Sequence, residues 1–168
     1  MDKVVALDLG NVCVKVDPSG CLRALGVPSL DAIPAEFLAA CEAFETGRLD
    51  EPAWLDAFRS ATGGAFATER LRDAFCLIIG DEIPGMADFV RGLTASGHRV
   101  ALLSDTSPLH LYYSLSKLSF AHLLTGGAYS FEAGARKPAA ARGWAAHLFT
   151  TADGCREAFA RVVGDVCA

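Results

Sequence analysis

Apolar residues along the chain follow two rhythms. Three short runs are apolar almost throughout and stop abruptly at small or acidic residues: Val4-Val5-Ala6-Leu7 before Asp8, Val100-Ala101-Leu102-Leu103 before Ser104-Asp105-Thr106, and Ala160-Arg161-Val162-Val163 before Gly164-Asp165. Runs of this kind suit strands covered on both faces of a parallel sheet. A weaker fourth strand is predicted around Leu123 to Thr125, before Gly126-Gly127. Open parallel sheets bind ligands at the carboxyl ends of their strands, so the polar clusters that end the three runs would share one edge.

The second rhythm is helical. Pro84-Gly85 opens a segment with Met86, Phe89, Val90 and Leu93 at i, i+3, i+4 and i+7, and Gly97 closes it just before the strand at Val100. From about Pro18 to Ile83 the chain holds far more than one crossover helix requires. Within it, Phe37, Leu38, Cys41 and Phe44 share a helical face, and Asp50 is placed to cap a helix with Pro52 in its first turn and Trp54, Leu55 and Phe58 facing inward. Thr68 is placed to cap another, carrying Leu71, Phe75 and Ile78 to a stop at Gly80. The predicted architecture is an α/β, three-layer Rossmann-like core of residues 1–17 and 84–168, with an all-helical insert of residues 18–83 above the carboxyl edge of its parallel sheet.

Composition excludes several classes. At 168 residues the chain has the length of one domain, and an apolar share of 52% with 21% charged residues is too hydrophobic for disorder. Fifteen basic against twenty acidic side chains leave −5, so there is no broad basic field to hold nucleic acid or an anionic membrane. No apolar run approaches the ~18 residues of a membrane span, and Met1-Asp2-Lys3 leads into only Val4 to Leu7 before Asp8, which is no secretory signal. The six cysteines form no C-x-x-C pair and read as reduced thiols, several at core positions, in a cytoplasmic protein.

Taken singly, Asp8-x-Gly10, Ser104, Lys137-Pro138 and Asp165 each fit ordinary turn and cap chemistry. In this order they form a series that resembles the haloacid dehalogenase-like (HAD) hydrolase superfamily. Val4 to Val12, with Asp8-Leu9-Gly10-Asn11, resembles motif I in its Asp-x-Gly-Asn form; Leu102-Leu103-Ser104-Asp105-Thr106 resembles motif II. Gly134-Ala135-Arg136-Lys137-Pro138 resembles motif III, and Val162-Val163-Gly164-Asp165 motif IV. Glu45-Thr46-Gly47-Arg48-Leu49-Asp50, followed by Trp54 and Phe58, is similar to the helical cap of the branch that includes bacterial sugar-phosphate phosphatases.

The resemblance implies a Mg²⁺-dependent phosphomonoesterase acting on a small phosphorylated metabolite through an aspartyl-phosphate. Asp8 would be the nucleophile, and Asp8, the Gly10 carbonyl and Asp165 would hold the metal. Ser104 and Asp105 would belong to the phosphate-binding segment, with Lys137 steadying both Asp8 and the transferred group. A carboxylate approaches a phosphate monoester, of charge about −1.5 to −2, only where that charge is neutralised, and oxygen ligands are what Mg²⁺ prefers. Two further readings stay open: a family member that binds without turnover, and a metal-independent 2-haloacid dehalogenase in which Asp8 attacks carbon.

The chain also departs from its presumptive relatives at three points. Gly10 stands where many phosphatases of the superfamily carry a second Asp, so water or a cap residue must move the leaving-group proton. Asp105 replaces a frequent Asn and is expected to point away and cap the following turn. Relatives continue beyond motif IV, whereas this sequence stops three residues after Asp165 and reads as truncated; a sheet edge would then lie open, and a fragment, a partner over that face, self-association through the edge and marginal stability all remain open readings.

Overall fold

The computed structural model describes residues 4–137 and 151–163. Strand β1 (Val4–Leu7) lies parallel to β4 (Arg99–Ser104), which lies parallel to β5 (Leu124–Tyr129), in the order β1-β4-β5. Val5 pairs with Val100 and Leu7 with Leu102, so the carboxyl ends of β1 and β4 sit side by side, as do those of β4 and β5 where Ser104 pairs with Tyr129. Asp8, Ser104 and Ser130 thereby leave the sheet at one edge.

One face of this sheet is covered. Val5 and Leu7 of β1 and Val100 and Leu102 of β4 point the same way, into a cluster with Met86, Phe89, Val90 and Leu93 of α5 (Met86–Ala95). That helix opens at Gly85, as the Pro-Gly signal predicts, and buries the four residues of its periodic stripe. The expected burial on both faces does not hold for β1 among the described residues: Val4 and Ala6, on its other side, are exposed. The strand alternates with period two instead, as a sheet packed on one side does. β5 extends past Thr125 through Gly126-Gly127 to Tyr129, longer than predicted.

A second, antiparallel pair holds the helical insert. β2 (Val14–Val16) pairs with β3 (Ile79–Glu82), Val14 opposite Glu82 and Val16 opposite Ile79, and the Asp17 amide donates to the Ile78 carbonyl at 2.9 Å. The chain therefore leaves and re-enters at one point. Between those strands, α1 (Ser19–Leu25), α2 (Ala35–Glu45), α3 (Glu51–Ala61) and α4 (Thr68–Cys76) surround their own apolar cluster. Trp54, fully buried, is its centre, with ring centroids 4.8 Å from Phe44 and 4.5 Å from Phe75.

Asp50 caps α3 by accepting from the Ala53 amide at 3.0 Å, as its position before Pro52 predicts. Other expectations are corrected. Thr68 is the first residue of α4 and makes no side-chain cap, and the helix ends before Ile78 because Gly80 is needed inside β3, where its missing side chain lets Lys15 approach. Leu38, placed with Phe37 and Phe44 by spacing, is half exposed, the buried stripe of α2 being narrower than the apolar one.

The largest difference concerns the predicted third strand. Ala160 to Val163 form the end of α8 (Ala152–Val163). Apolar residues at 152, 155, 159, 162 and 163 carry helical spacing back from Val163. The start is fixed locally: the Thr151 hydroxyl accepts from the Gly154 amide at 3.0 Å, and Asp153 pairs with Arg156 one turn on at 2.6 Å. A run of four residues is too short to tell a buried strand from a helix terminus. Pro138, Gly164 and Asp165 lie outside the described residues. The remaining helices, α6 (Pro108–Lys117) and the short α7 (Ser130–Ala133), follow β4 and β5 directly.

Candidate active site

Asp8 follows β1 and enters a tight loop. The Cys13 and Val14 amides both donate to the Leu9 carbonyl, at 2.9 and 3.1 Å, and the Asn11 amide donates to Val14 at 2.7 Å. Asn11 has φ +56°, a left-handed conformation that Asn tolerates better than most residues, and its side-chain oxygen accepts from the Val16 amide at 2.9 Å. Buried Leu9 and Cys13 pin the loop to the core. The result is a carboxylate at the sheet edge, less than half exposed at 43%, with Oδ1 accepting from the Leu9 amide at 2.7 Å.

Lys137 reaches this carboxylate from the far end of the described core. Its Nζ lies 2.7 Å from Asp8 Oδ2, and its side chain is 20% exposed. Asp105 holds the lysine in place: Oδ1 accepts from the Lys137 amide at 2.9 Å. The expectation that Asp105 caps the following turn is thus corrected. Ser107 caps α6 instead, accepting from the His110 amide at 3.2 Å, which leaves Asp105 free to anchor a strand-distant loop. Ser104 is buried at the end of β4, with a long 3.5 Å contact from its hydroxyl to the Asp105 carbonyl.

Beside these groups opens a cavity of about 200 Å³ between the parallel sheet's edge and the helical insert. Gly10, Ser104 and Asp105 line it from the core, Phe75 and Glu45 from the insert, and His110 from α6. His110 does not present a free base: its Nε2 lies 3.0 Å from the Phe75 carbonyl and its ring stacks on Phe75 at 3.9 Å. Burial drives its pKa down to about 4, against the opposing effect of that hydrogen bond, so the ring is neutral.

Glu45, the last residue of α2, stands in the sequence only as part of a cap motif. Here its Oε2 pairs with Arg136 at 2.8 Å, and its carbonyl accepts from the Ser130 hydroxyl at 2.5 Å. That same hydroxyl oxygen accepts from the Thr106 amide at 3.0 Å. Burial raises the Glu45 pKa; Arg136 opposes this, and Asp105 and Glu42 add to it. The insert, the loop after β4 and the loop bearing Lys137 therefore converge through Glu45, Ser130 and Arg136. Only the charge of Arg136, next to Lys137, and the placement of Glu45 at a helix end before Thr46-Gly47 signalled this in the sequence.

Among the described residues no three His, Cys, Asp or Glu side chains gather in a way that could hold a metal. The Asp8 carboxylate and the Gly10 carbonyl nonetheless offer two hard oxygen donors two residues apart in one loop. That donor chemistry fits Mg²⁺, which dehydrates reluctantly. Asp165, the third ligand implied by resemblance, lies outside the described residues.

No protein-family model and no curated protein matches the sequence. Solved structures do. A HAD-family enzyme, BT-2542 from Bacteroides thetaiotaomicron, crystallised with magnesium and inorganic phosphate, superposes with a TM-score of 0.69 at 19% identity over 83% of this chain and 74% of that one. Another structure of BT-2542 matches over 98% of this chain and 78% of its own, with 18% identity and a TM-score of 0.69. A predicted HAD-like family hydrolase from Porphyromonas gingivalis gives a TM-score of 0.63 at 20% identity, over 96% of this chain and 76% of that one. The chain has the HAD-like, Rossmann-type fold.

Proposed function

We propose that the chain is a Mg²⁺-dependent phosphomonoester hydrolase of the HAD type, acting on a small phosphorylated metabolite, a sugar phosphate among them, in the cytoplasm. The observation that carries this reading is the 2.7 Å contact between Lys137 Nζ and Asp8 Oδ2 at the carboxyl edge of the parallel sheet, where the neighbouring strand ends in Ser104. An ammonium held against the carboxylate suits it to attack on an anion, because the lysine offsets the repulsion between two negative groups. The neighbours' bound magnesium and phosphate support the same chemistry.

In this mechanism Asp8 attacks phosphorus in line, the ester P–O bond breaks, and an aspartyl-phosphate forms. Water then attacks that phosphorus and restores the carboxylate. Lys137 holds the transferring group through its ammonium, while Asp105 fixes the Lys137 backbone and so the reach of that ammonium. The Ser104 hydroxyl, buried at the strand end, donates to a phosphoryl oxygen. Mg²⁺ held by Asp8, the Gly10 carbonyl and Asp165 would supply the remaining positive charge against the phosphoryl oxygens.

The cavity of about 200 Å³ between core and insert suits a small leaving group. Nitrophenol release from 4-nitrophenyl phosphate, measured with Mg²⁺ and again with excess EDTA, tests the reading. Turnover that EDTA abolishes and Asp8→Asn removes is expected. Chelation-resistant turnover of a 2-haloacid, or phosphate-dependent thermal stabilisation without product, would replace it with the dehalogenase or the binding-only reading.

A further inference from the structure

We propose that Glu45 is the acid and base for the leaving-group oxygen, supplying from the helical insert the carboxyl that the core lacks at Gly10. The proposal rests on the phosphomonoesterase reading above. A phosphate ester of an ordinary alcohol requires a proton on its departing oxygen, and Gly10 has none to give.

The cavity beside Gly10 and Ser104 is lined by three titratable side chains, Glu45, Asp105 and His110. Asp105 anchors the Lys137 backbone, its Oδ1 accepting from that amide at 2.9 Å, and lines the cavity from the core side with Gly10 and Ser104 rather than from the insert. His110 is committed to the Phe75 carbonyl at 3.0 Å and to a stack on the Phe75 ring. Glu45 remains. Its main chain is tied to α7 by the Ser130 hydroxyl, and Arg136 holds Oε2 at 2.8 Å, which orients the carboxyl and leaves its other oxygen without that partner. Its side chain is 27% exposed, open enough to exchange protons with solvent. Burial raises its pKa, Arg136 opposes the rise, and Asp105 and Glu42 add to it.

The proton balance is simple. Protonated Glu45 gives its proton to the ester oxygen as the Asp8–phosphorus bond forms and the phosphorus–alcohol bond breaks, releasing a neutral alcohol. The resulting carboxylate then takes a proton from the water that attacks phosphorus. Inorganic phosphate leaves, and Asp8 and Glu45 return to their starting states. Because Glu45 belongs to the insert, packing of the insert on the core is what completes the site.

The test compares two substrates in Glu45→Gln, which keeps an oxygen for Arg136 but carries no transferable proton. For 4-nitrophenyl phosphate, whose leaving group departs as an anion, kcat/KM, which reports the step that expels it, is expected to stay within about 3-fold of wild type, while kcat falls because Gln takes no proton from the water of the second step. For glycerol 1-phosphate it is expected to fall about 10²–10⁴-fold, the range for a lost general acid. The fall of the wild-type glycerol 1-phosphate profile at high pH should vanish in the variant, and Glu45→Asp should recover part of the rate. Retained aryl kcat/KM reports that the variant is folded. Equal losses on both substrates, or none on either, would overturn the proposal. Failure of wild type to hydrolyse either ester would instead remove the phosphomonoesterase reading, and the Glu45 role with it.

Discussion

Gly47 offers a sharp test of how the insert is seated on the core. It follows Glu45 and Thr46 at the end of α2, with φ +68°, and a Cβ added there would fall well inside van der Waals distance of the Phe131 carbonyl oxygen in α7. Gly63 has nearly the same backbone, φ +64°, with nothing within 4 Å of its imagined Cβ. Alanine at either site meets the left-handed cost of roughly 1–2 kcal/mol, offset by about 0.4–1 kcal/mol from a less flexible unfolded chain. Only at position 47 is there a further cost of about 1–3 kcal/mol for forcing two backbone segments apart. Urea unfolding of both variants should show Gly63→Ala about 0–1.6 kcal/mol below wild type and Gly47→Ala about 1–3 kcal/mol lower than Gly63→Ala, at unchanged m. Since that displacement carries Glu45 away from Ser130 and Arg136, Gly47→Ala should also lower kcat/KM for alkyl phosphates. Equal destabilisation by the two alanines would refute the close packing on which this reasoning depends.

Two other perturbations follow from the site. His110, neutral in the fold with a pKa near 4 against 6.5 free, contributes stability that is intact above pH 6.5 and is lost as pH falls toward 4, because the unfolded chain takes up the proton first. The loss attributable to it is roughly 3 kcal/mol by pH 4, and His110→Gln should flatten the pH dependence of the urea midpoint between those values by that amount. Asp105→Ala should lower kcat/KM at least about 10-fold and stability by about 1–3 kcal/mol by orphaning the Lys137 amide, whereas Asp105→Asn keeps the acceptor and most of the rate.

What was readable in the sequence was what depends on local periodicity. β1, the stripe of α5 and the Asp50 cap are each determined within a few residues, so the pattern locates them. Ala160 to Val163 failed for a related reason: four residues carry both periods, and the helical cap at Thr151 that decides between them lies nine residues before the run. The candidate site divides the same way. Asp8 and Ser104 stand at strand ends, where parallel sheets place ligands. Asp105 was given the wrong partner because its hydrogen bond spans 32 residues to Lys137, and a short carboxylate after a strand ordinarily bonds nearby. Glu45 gave only the faint signal of a helix end before Thr46-Gly47, since its role comes from Arg136 at 91 residues' distance and from Ser130 at 85. Tertiary contacts of this span are set by how the insert rests on the core, and no local pattern encodes that.

The central claim is that Asp8, held by Lys137, takes the phosphoryl group. Mixing the chain with excess 4-nitrophenyl phosphate and Mg²⁺, quenching in acid within the first turnovers and mapping the peptides by mass spectrometry tests it directly. The account predicts one added phosphoryl group on the peptide containing Asp8, labile at neutral pH and missing from Asp8→Asn. Nitrophenol release with that peptide unmodified, or with the phosphoryl group on another residue, would contradict it.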